Sequence, residues 1–488
     1  MTGCFCFSST RAVWGPIRLF VRWRIDIYLL GLAMAVITWP SALIAQETAV
    51  DSEVHQRDYT SQKIRLHTDV EPDQAKRMLR RMEKTLRHIS SYWRSPLKGS
   101  IECYVVEDMK RWPENSFPNP SARSLIQFVG GVTLTKMQVD SRKSELKAIV
   151  YATSAPGVVE HEVVHAYCFQ TFGKHGPDWY KEGMADVAGR LADSRSAARC
   201  PMEITSYLRG QAFRPVDEIV SSGPFTQPLI DIKNRLTQVT EKSVESYLAP
   251  ALSVWGAPDD EILQEVQSAY RWSWALCYFL VHSPNYSQRF RAYGQGHLDG
   301  NAIQFARWFA DVRNQLDFEF DFFVGHSRPG YRVELCNWDW TVPWSSLKER
   351  AVRNVSVRAA AGYHATGCSV SAGETYHYRT LGSCCLSQDG AAVTAAGDRS
   401  GRGKLVAVVM RNYKLSEEIE LGESGSFSVP SSGHLYLRCR DDWGSLADNS
   451  GSLRVRLQSG PVSPSPGFNS NAIFERSLEP ATNRASRN

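Results

Sequence analysis

Apolar and polar residues alternate from Lys63 to His67, which predicts a short strand, and the period then changes. From Pro72 onward Ala75, Met78, Leu79, Met82, Leu86 and Ile89 recur at intervals of three and four, the spacing of a helix with one buried face. Ile101 to Val106, Gly131 to Val139 and Leu146 to Tyr151 predict three more strands, with a Pro- and Asn-rich loop at Trp112 to Ser121. Pro156-Gly157 opens a helix that runs to about Phe172, where Gly173, Gly176 and Pro177 break it, and Asp178 is a good N-cap for the next. Cys200 to Asp260 reads as short helices and loops over a cleft. Asp259 through Val281 and about Ala302 to Val312 read as helices that complete a lower lobe.

From Val355 the pattern is that of strands. Leu435, Leu437 and Cys439 alternate with polar residues, as do Leu453, Val455 and Leu457, while Leu405 to Met410 is continuously apolar. The fold class expected is therefore α+β: a small sheet with a helical lobe over residues 59–345, followed by an all-β sandwich over 352–458. The Pro/Ser-rich and polar end, 459–488, is expected to be disordered, and no internal repeat is visible.

Composition narrows the function classes. With 488 residues, 43% hydrophobic and 22% charged, the chain is expected to form a soluble protein of two or three domains. Its net charge of +5 is weak and scattered, which gives a nucleic-acid role no support. Residues 1–45 combine Arg11, Arg18, Arg22 and Arg24, an apolar run from Ile27 to Ile37, and a small-residue segment ending at Ala45. That order predicts an export signal cleaved near Ala42 or Ala45, the alternative being an uncleaved membrane anchor. The protein is expected in the periplasm, at the cell surface or secreted. Of its eleven cysteines Cys4 and Cys6 would leave with the signal. Cys368, Cys384, Cys385 and Cys439 cluster late, and both a bridge or two and lone buried thiols remain open.

The candidate chemistry lies at His161-Glu162-Val163-Val164-His165 and at Trp179-Tyr180-Lys181-Glu182-Gly183. Residues four apart on a helix lie about 40° apart in azimuth, so both imidazoles emerge from one face and can grip one cation. Glu182 offers an anionic third ligand from the next helix. Glu162 stands where it can take a proton from a metal-activated water and pass it to a leaving amine. Two histidines and a glutamate decorating a helix surface are the plain alternative, and a metal-bound but inactive protein is another.

Trp-Tyr-Lys-Glu-Gly-Met-Ala-Asp, with 17 residues from His165 to Glu182, resembles the third-ligand segment of the gluzincin metallopeptidases. The chain looks closest to the bacterial peptidase MA-like secreted family, in which a Tyr-x-x-Ser-Trp-Ala-Leu helix recurs, as Tyr270 to Leu276 does here. Over roughly residues 60–325 the resemblance implies a zincin-like fold, zinc held by His161, His165 and Glu182, and Glu162 as general base. Tyr270 would stabilise the oxyanion, unless it is a core residue, and His175 and Asp186 would orient ligands. No Gly-x-Met-Glu-Asn segment is present and the spacing to Glu182 is short for an aminopeptidase, so an endopeptidase or unassigned specificity for a protein or peptide substrate is expected.

A second constellation, Asp441 to Ser452, concentrates oxygen donors between two strands without EF-hand spacing. It resembles the loop of the PA-IL-like, calcium-dependent galactose-binding bacterial lectins, as does Val355 to Gly382 with its Thr366-Gly367 and Gly373 turns. The resemblance implies calcium bound by the side chains of Asp441, Asp448 and Asn449, the carbonyl of Ser445 and one near Leu386, with a cell-surface glycan as partner. The family's sugar-contacting histidine and glutamine have no counterpart, and an Asx-rich turn is the alternative. The leading expectation is an exported zinc metallopeptidase; a non-catalytic metal-binding scaffold or adhesin is the other.

Overall fold

The computed structural model describes residues 56–140, 143–191, 200–221, 261–347 and 351–459, which belong to one compact unit beginning at Val54. The expected export signal, the expected disordered end and most of the Cys200 to Asp260 segment lie outside these residues. No helix among the described residues is long and apolar enough to cross a membrane.

The architecture is α+β with three sheets. The first has the order β1-β2-β3-β5-β4, built from β1 (Arg57–Thr60), β2 (Ile64–Thr68), β3 (Ile101–Val106), β4 (Gly131–Asp140) and β5 (Lys143–Thr153). The three central strands are parallel, and β1 and β4 run antiparallel at the edges. Helix α1 (Pro72–Trp93) makes the crossover from β2 to β3 and buries Ala75, Met78, Met82, Leu86 and Ile89, the stripe its spacing predicts. After α2 (Ala122–Val129), α3 (Val158–Phe172) leaves β5 and lies against β4, β5 and α1.

Helix α4 (Asp178–Leu191) packs on α3 and on α7 (Glu261–His282), with α5 (Met202–Gly210) and α6 (Val216–Ser221) beside α7. Helices α8 (Ser287–Leu298) and α9 (Arg313–His326) complete this half. Here the structure departs from the pattern reading. Ala302 to Val312 holds only the short turns Phe305–Trp308 and Ala310–Val312, and the long helix comes next. The acids Asp317, Glu319 and Asp321 interrupt the apolar period of α9, yet Glu319 is itself buried, its Oε1 accepting from Asn285, Tyr286 and Trp340.

The other two sheets face each other. One has the order β11-β10-β14-β8-β6, with β12 also on β10; the other is β13-β9-β15-β7. The strands are β6 (Ser345–Ser346), β7 (Val352–Arg358), β8 (His364–Val370), β9 (Thr375–Cys385), β10 (Leu405–Arg411), β11 (Lys414–Leu415), β12 (Ile419–Glu420), β13 (Ser424–Ser428), β14 (Gly433–Cys439) and β15 (Ser450–Ser459). Leu405, Ala407, Val409, Leu435, Leu437, Leu453, Val455 and Leu457 fill the space between the sheets. The run Leu405 to Met410 is continuously apolar because β10 is buried on both faces: Val408 and Met410 join the core of the helical half.

Candidate metal centre

Helix α3 is enclosed by the sheet on one side and helices on the other. Val159, Val163, Val164, Ala166 and Tyr167 are all buried, and Glu160 is neutralised by Arg81 at 2.6 Å. His161 and His165 lie on the face that meets α4. Gly189 and Gly183 let the helices close on each other: a Cβ on Gly189 would lie 3.3 Å from the His161 nitrogen, and one on Gly183 only 2.5 Å from the Ser273 carbonyl oxygen of α7.

This packing brings three donors together. His161 Nε2 and His165 Nε2 are 2.9 Å apart, and Glu182 Oε2 lies 3.2 Å from the first and 3.3 Å from the second. Donors bonded to one tetrahedral zinc at its usual bond lengths are separated by roughly 3.3 Å, so the triangle fits such an ion. Asp186 Oδ1 lies 2.9 Å from His161 Nδ1, a contact that holds the far side of the ring and turns Nε2 toward the triangle. The group His161, His165 and Glu182 could hold a metal.

The electrostatics are those of a concentrated buried site. Burial opposes a charge on His161, but the hydrogen bonds and charges of Asp186 and Glu182 outweigh it and raise the imidazole well above its ordinary range. Burial likewise raises Glu182, and the charge of His165, hydrogen bonds from both histidines and Lys181 overcome it, holding the carboxyl well below the usual range. Lys181 Nζ sits 2.9 Å from Glu182 Oε1 and 3.1 Å from Asp178. The carboxylate is thus anchored by one oxygen and presents the other.

Glu162, the residue after His161 in α3, is buried, and its Oε2 accepts from Thr133 Oγ1 of β4 at 2.8 Å. At Gly131 a Cβ would fall 3.0 Å from Glu162 Cγ and 2.7 Å from Val158, so the edge strand approaches α3 only because that residue has no side chain. Tyr270 of α7 is partly buried, its ring centroid 6.4 Å from that of His161 and its hydroxyl bonded to Glu182. Burial, then the charges of Glu182, Asp186 and Glu162, push its phenol well above 10, so it stays protonated.

His175, expected as a partner of the ligands, instead pairs through Nδ1 with the Gly176 carbonyl at 2.9 Å and stands edge-on to Phe169, because the turn after α3 carries it away. Thr133, Gly131 and Lys181 were not expected. Only Lys181, beside Glu182, carried any signal; the other two matter through a strand-to-helix contact that no spacing encodes.

In the sandwich loop Asp441 and Asn449 are buried together, Asn449 Nδ2 donating to Asp441 Oδ2 at 3.0 Å and to the Ala359 carbonyl at 3.2 Å. Asp448 is exposed, and the Ser445 amide donates to the Asp442 carbonyl oxygen at 3.0 Å. The oxygens that would bind calcium are engaged by a guanidinium. Arg402 Nε donates to Asp441 Oδ1 at 2.7 Å, and its Nη2 lies 3.3 Å from the Leu386 carbonyl oxygen.

No protein-family model and no curated protein matches the chain. Among solved structures, the N-terminal domain of EclA, a PllA-like lectin, aligns over 22% of this chain and 96% of that one, at 24% identity and a TM-score of 0.20. The IMPa metallopeptidase in complex with T-antigen aligns over 47% of this chain and 23% of that one, at 15% identity and a TM-score of 0.15. Scores this low carry no argument about activity.

Proposed function

We propose that the chain is an exported zinc metallopeptidase of the gluzincin kind, its peptidase part spanning about 59–345 and followed by a sandwich module. The observation that carries this reading is the convergence of His161 Nε2, His165 Nε2 and Glu182 Oε2, with Glu162 next to His161 in α3 and its charge, like that of Glu182, acting on Tyr270. A site that only binds metal has no use for that fourth group.

His161, His165 and Glu182 would hold zinc, which when bound supplies Lewis acidity that activates water near neutral pH and polarises a carbonyl. Asp186 orients His161, and Lys181 orients Glu182. Thr133 fixes one oxygen of Glu162, leaving Oε1 to take a proton from water and deliver it to the departing amine nitrogen. Tyr270 keeps its proton and can donate a hydrogen bond to the scissile carbonyl oxygen as negative charge builds there.

The test is metal content read beside cleavage. The purified protein and its Glu162→Gln variant should each carry one zinc by elemental analysis, while His161→Ala and Glu182→Ala lose it. A chelator should abolish cleavage of a mixed peptide library and added zinc should restore it. Equal zinc in all four proteins would remove the basis of the reading.

A further inference from the structure

The Asp441–Asn449 loop has the oxygen donors of a cation site, and a cation already stands among them. Both oxygens of the Asp441 carboxylate are engaged. Oδ1 accepts from Arg402 Nε at 2.7 Å and from the Asp442 amide at 2.8 Å; Oδ2 accepts from Asn449 at 3.0 Å and faces Arg402 Nη2 at 3.4 Å. The same guanidinium lies 3.3 Å from the Leu386 carbonyl oxygen and in the field of Asp448. The Asp441 side chain is fully buried while that of Arg402 is 47% exposed, so the arginine closes the loop from the solvent side. Asn449 is buried, and its Oδ1 has no hydrogen-bond partner.

The other side of the loop is not free either. Trp443 and Leu446 are buried in the core of the helical half. The Trp443 ring lies 5.1 Å from those of Phe322 and His326 on α9, edge-on to the first, with the Arg438 guanidinium 3.4 Å above it. Arg438 also donates to the Asp441 carbonyl oxygen. Asp442 pairs with Arg328 at 2.6 Å, and a Cβ on either Gly330 or Gly444 would run into the backbone of the other segment. The loop and the segment after α9 therefore touch backbone to backbone.

We infer that Arg402 is a tethered cation standing in the place that the lectin resemblance gives to calcium, and that the loop it closes seats the sandwich on the helical half. A guanidinium satisfies the carboxylate directionally and without dissociating, whereas a calcium ion would need the same oxygens and would meet a fixed positive charge. The inference is independent of the peptidase reading.

The experiment is thermal unfolding of the full, zinc-loaded protein in millimolar calcium or in calcium-free buffer with magnesium in its place. The parent should melt at the same temperature in both. Arg402→Ala should melt several degrees lower without calcium, because the Asp441 carboxylate is left buried and less fully paired, and calcium should restore much of the loss; a further Asp441→Ala change should abolish that response. Amide exchange along Arg313–His326 should quicken in Arg402→Ala along with exchange in the loop. If Arg402→Ala does not fold, terbium luminescence sensitised by Trp443 decides on the parent alone, with no saturable signal expected. Calcium stabilisation of the parent, or terbium binding that calcium displaces and Asp441→Asn removes, overturns the inference. So does an Arg402→Ala protein as stable as the parent and indifferent to calcium, or an exchange change confined to the sandwich.

Discussion

Each ligand of the candidate centre is held by a neighbour that fixes its orientation, and these neighbours are where single substitutions should be most informative. Asp186 holds the Nδ1 side of His161. Asp186→Ala should leave the fold intact and weaken zinc binding about ten- to a hundredfold, measured by competition with a chromophoric chelator; unchanged affinity would make Asp186 a mere surface acid. Thr133→Val keeps shape and strand propensity but removes the donor to Glu162. Its kcat should fall roughly tenfold at unchanged zinc content, since a freed carboxylate is aligned for proton transfer less of the time. His161, His165 and Glu182 were legible in the sequence because helical spacing and a short turn set their geometry locally. Arg402 was not, because it meets Asp441 across 39 positions and nothing local marks it.

Between elements, small residues and buried ionisable groups decide what can pack. Gly183 sits where α4 meets α7, and Gly183→Ala should destabilise the protein by about 1–3 kcal/mol, the cost of overpacking outweighing any gain in helix propensity. A melting point equal to the parent's would contradict that packing. In the sandwich, His364 Nε2 accepts from the Arg358 amide at 3.1 Å, a bond between β7 and β8 that requires an unprotonated nitrogen. Burial, then the charge of Arg358, lowers this imidazole from 6.5 to about 4. Because the folded value lies below the unfolded one, stability is complete above pH 6.5 and is lost as pH falls toward 4, by roughly 3 kcal/mol at most. His364→Gln should flatten denaturation midpoints across that window; an unaltered slope would contradict the assignment. The pattern reading found α1 and β10 by their apolar signatures, and α3 by Pro156-Gly157 at its start and Gly173 at its end. It missed α9, whose face includes the buried Glu319, and began β5 at Leu146 because Lys143 to Glu145 carry no apolar signal.

The sandwich and the helical half share a core at the scale of the whole molecule. Trp338 packs on Phe322 of α9 and on Tyr436 of β14, and Val408, Met410, Trp443 and Leu446 belong to the same cluster as the metal helix. The two parts should therefore unfold together, in one calorimetric transition that Trp443→Ala lowers as a whole; two separate transitions would contradict a shared core. The sequence announced two kinds of architecture but not their union, since a residue such as Val408 reads simply as strand core until its neighbours are known. What the whole assembly is held to serve is hydrolysis at the α3–α4 face, and the most direct test is the parent compared with Glu162→Gln at equal zinc content on a mixed peptide library. The variant keeps size, burial and the Thr133 hydrogen bond while losing the proton acceptor, so cleavage should fall at least about a hundredfold. Equal cleavage by the two proteins, or none by the zinc-loaded parent, would contradict the account.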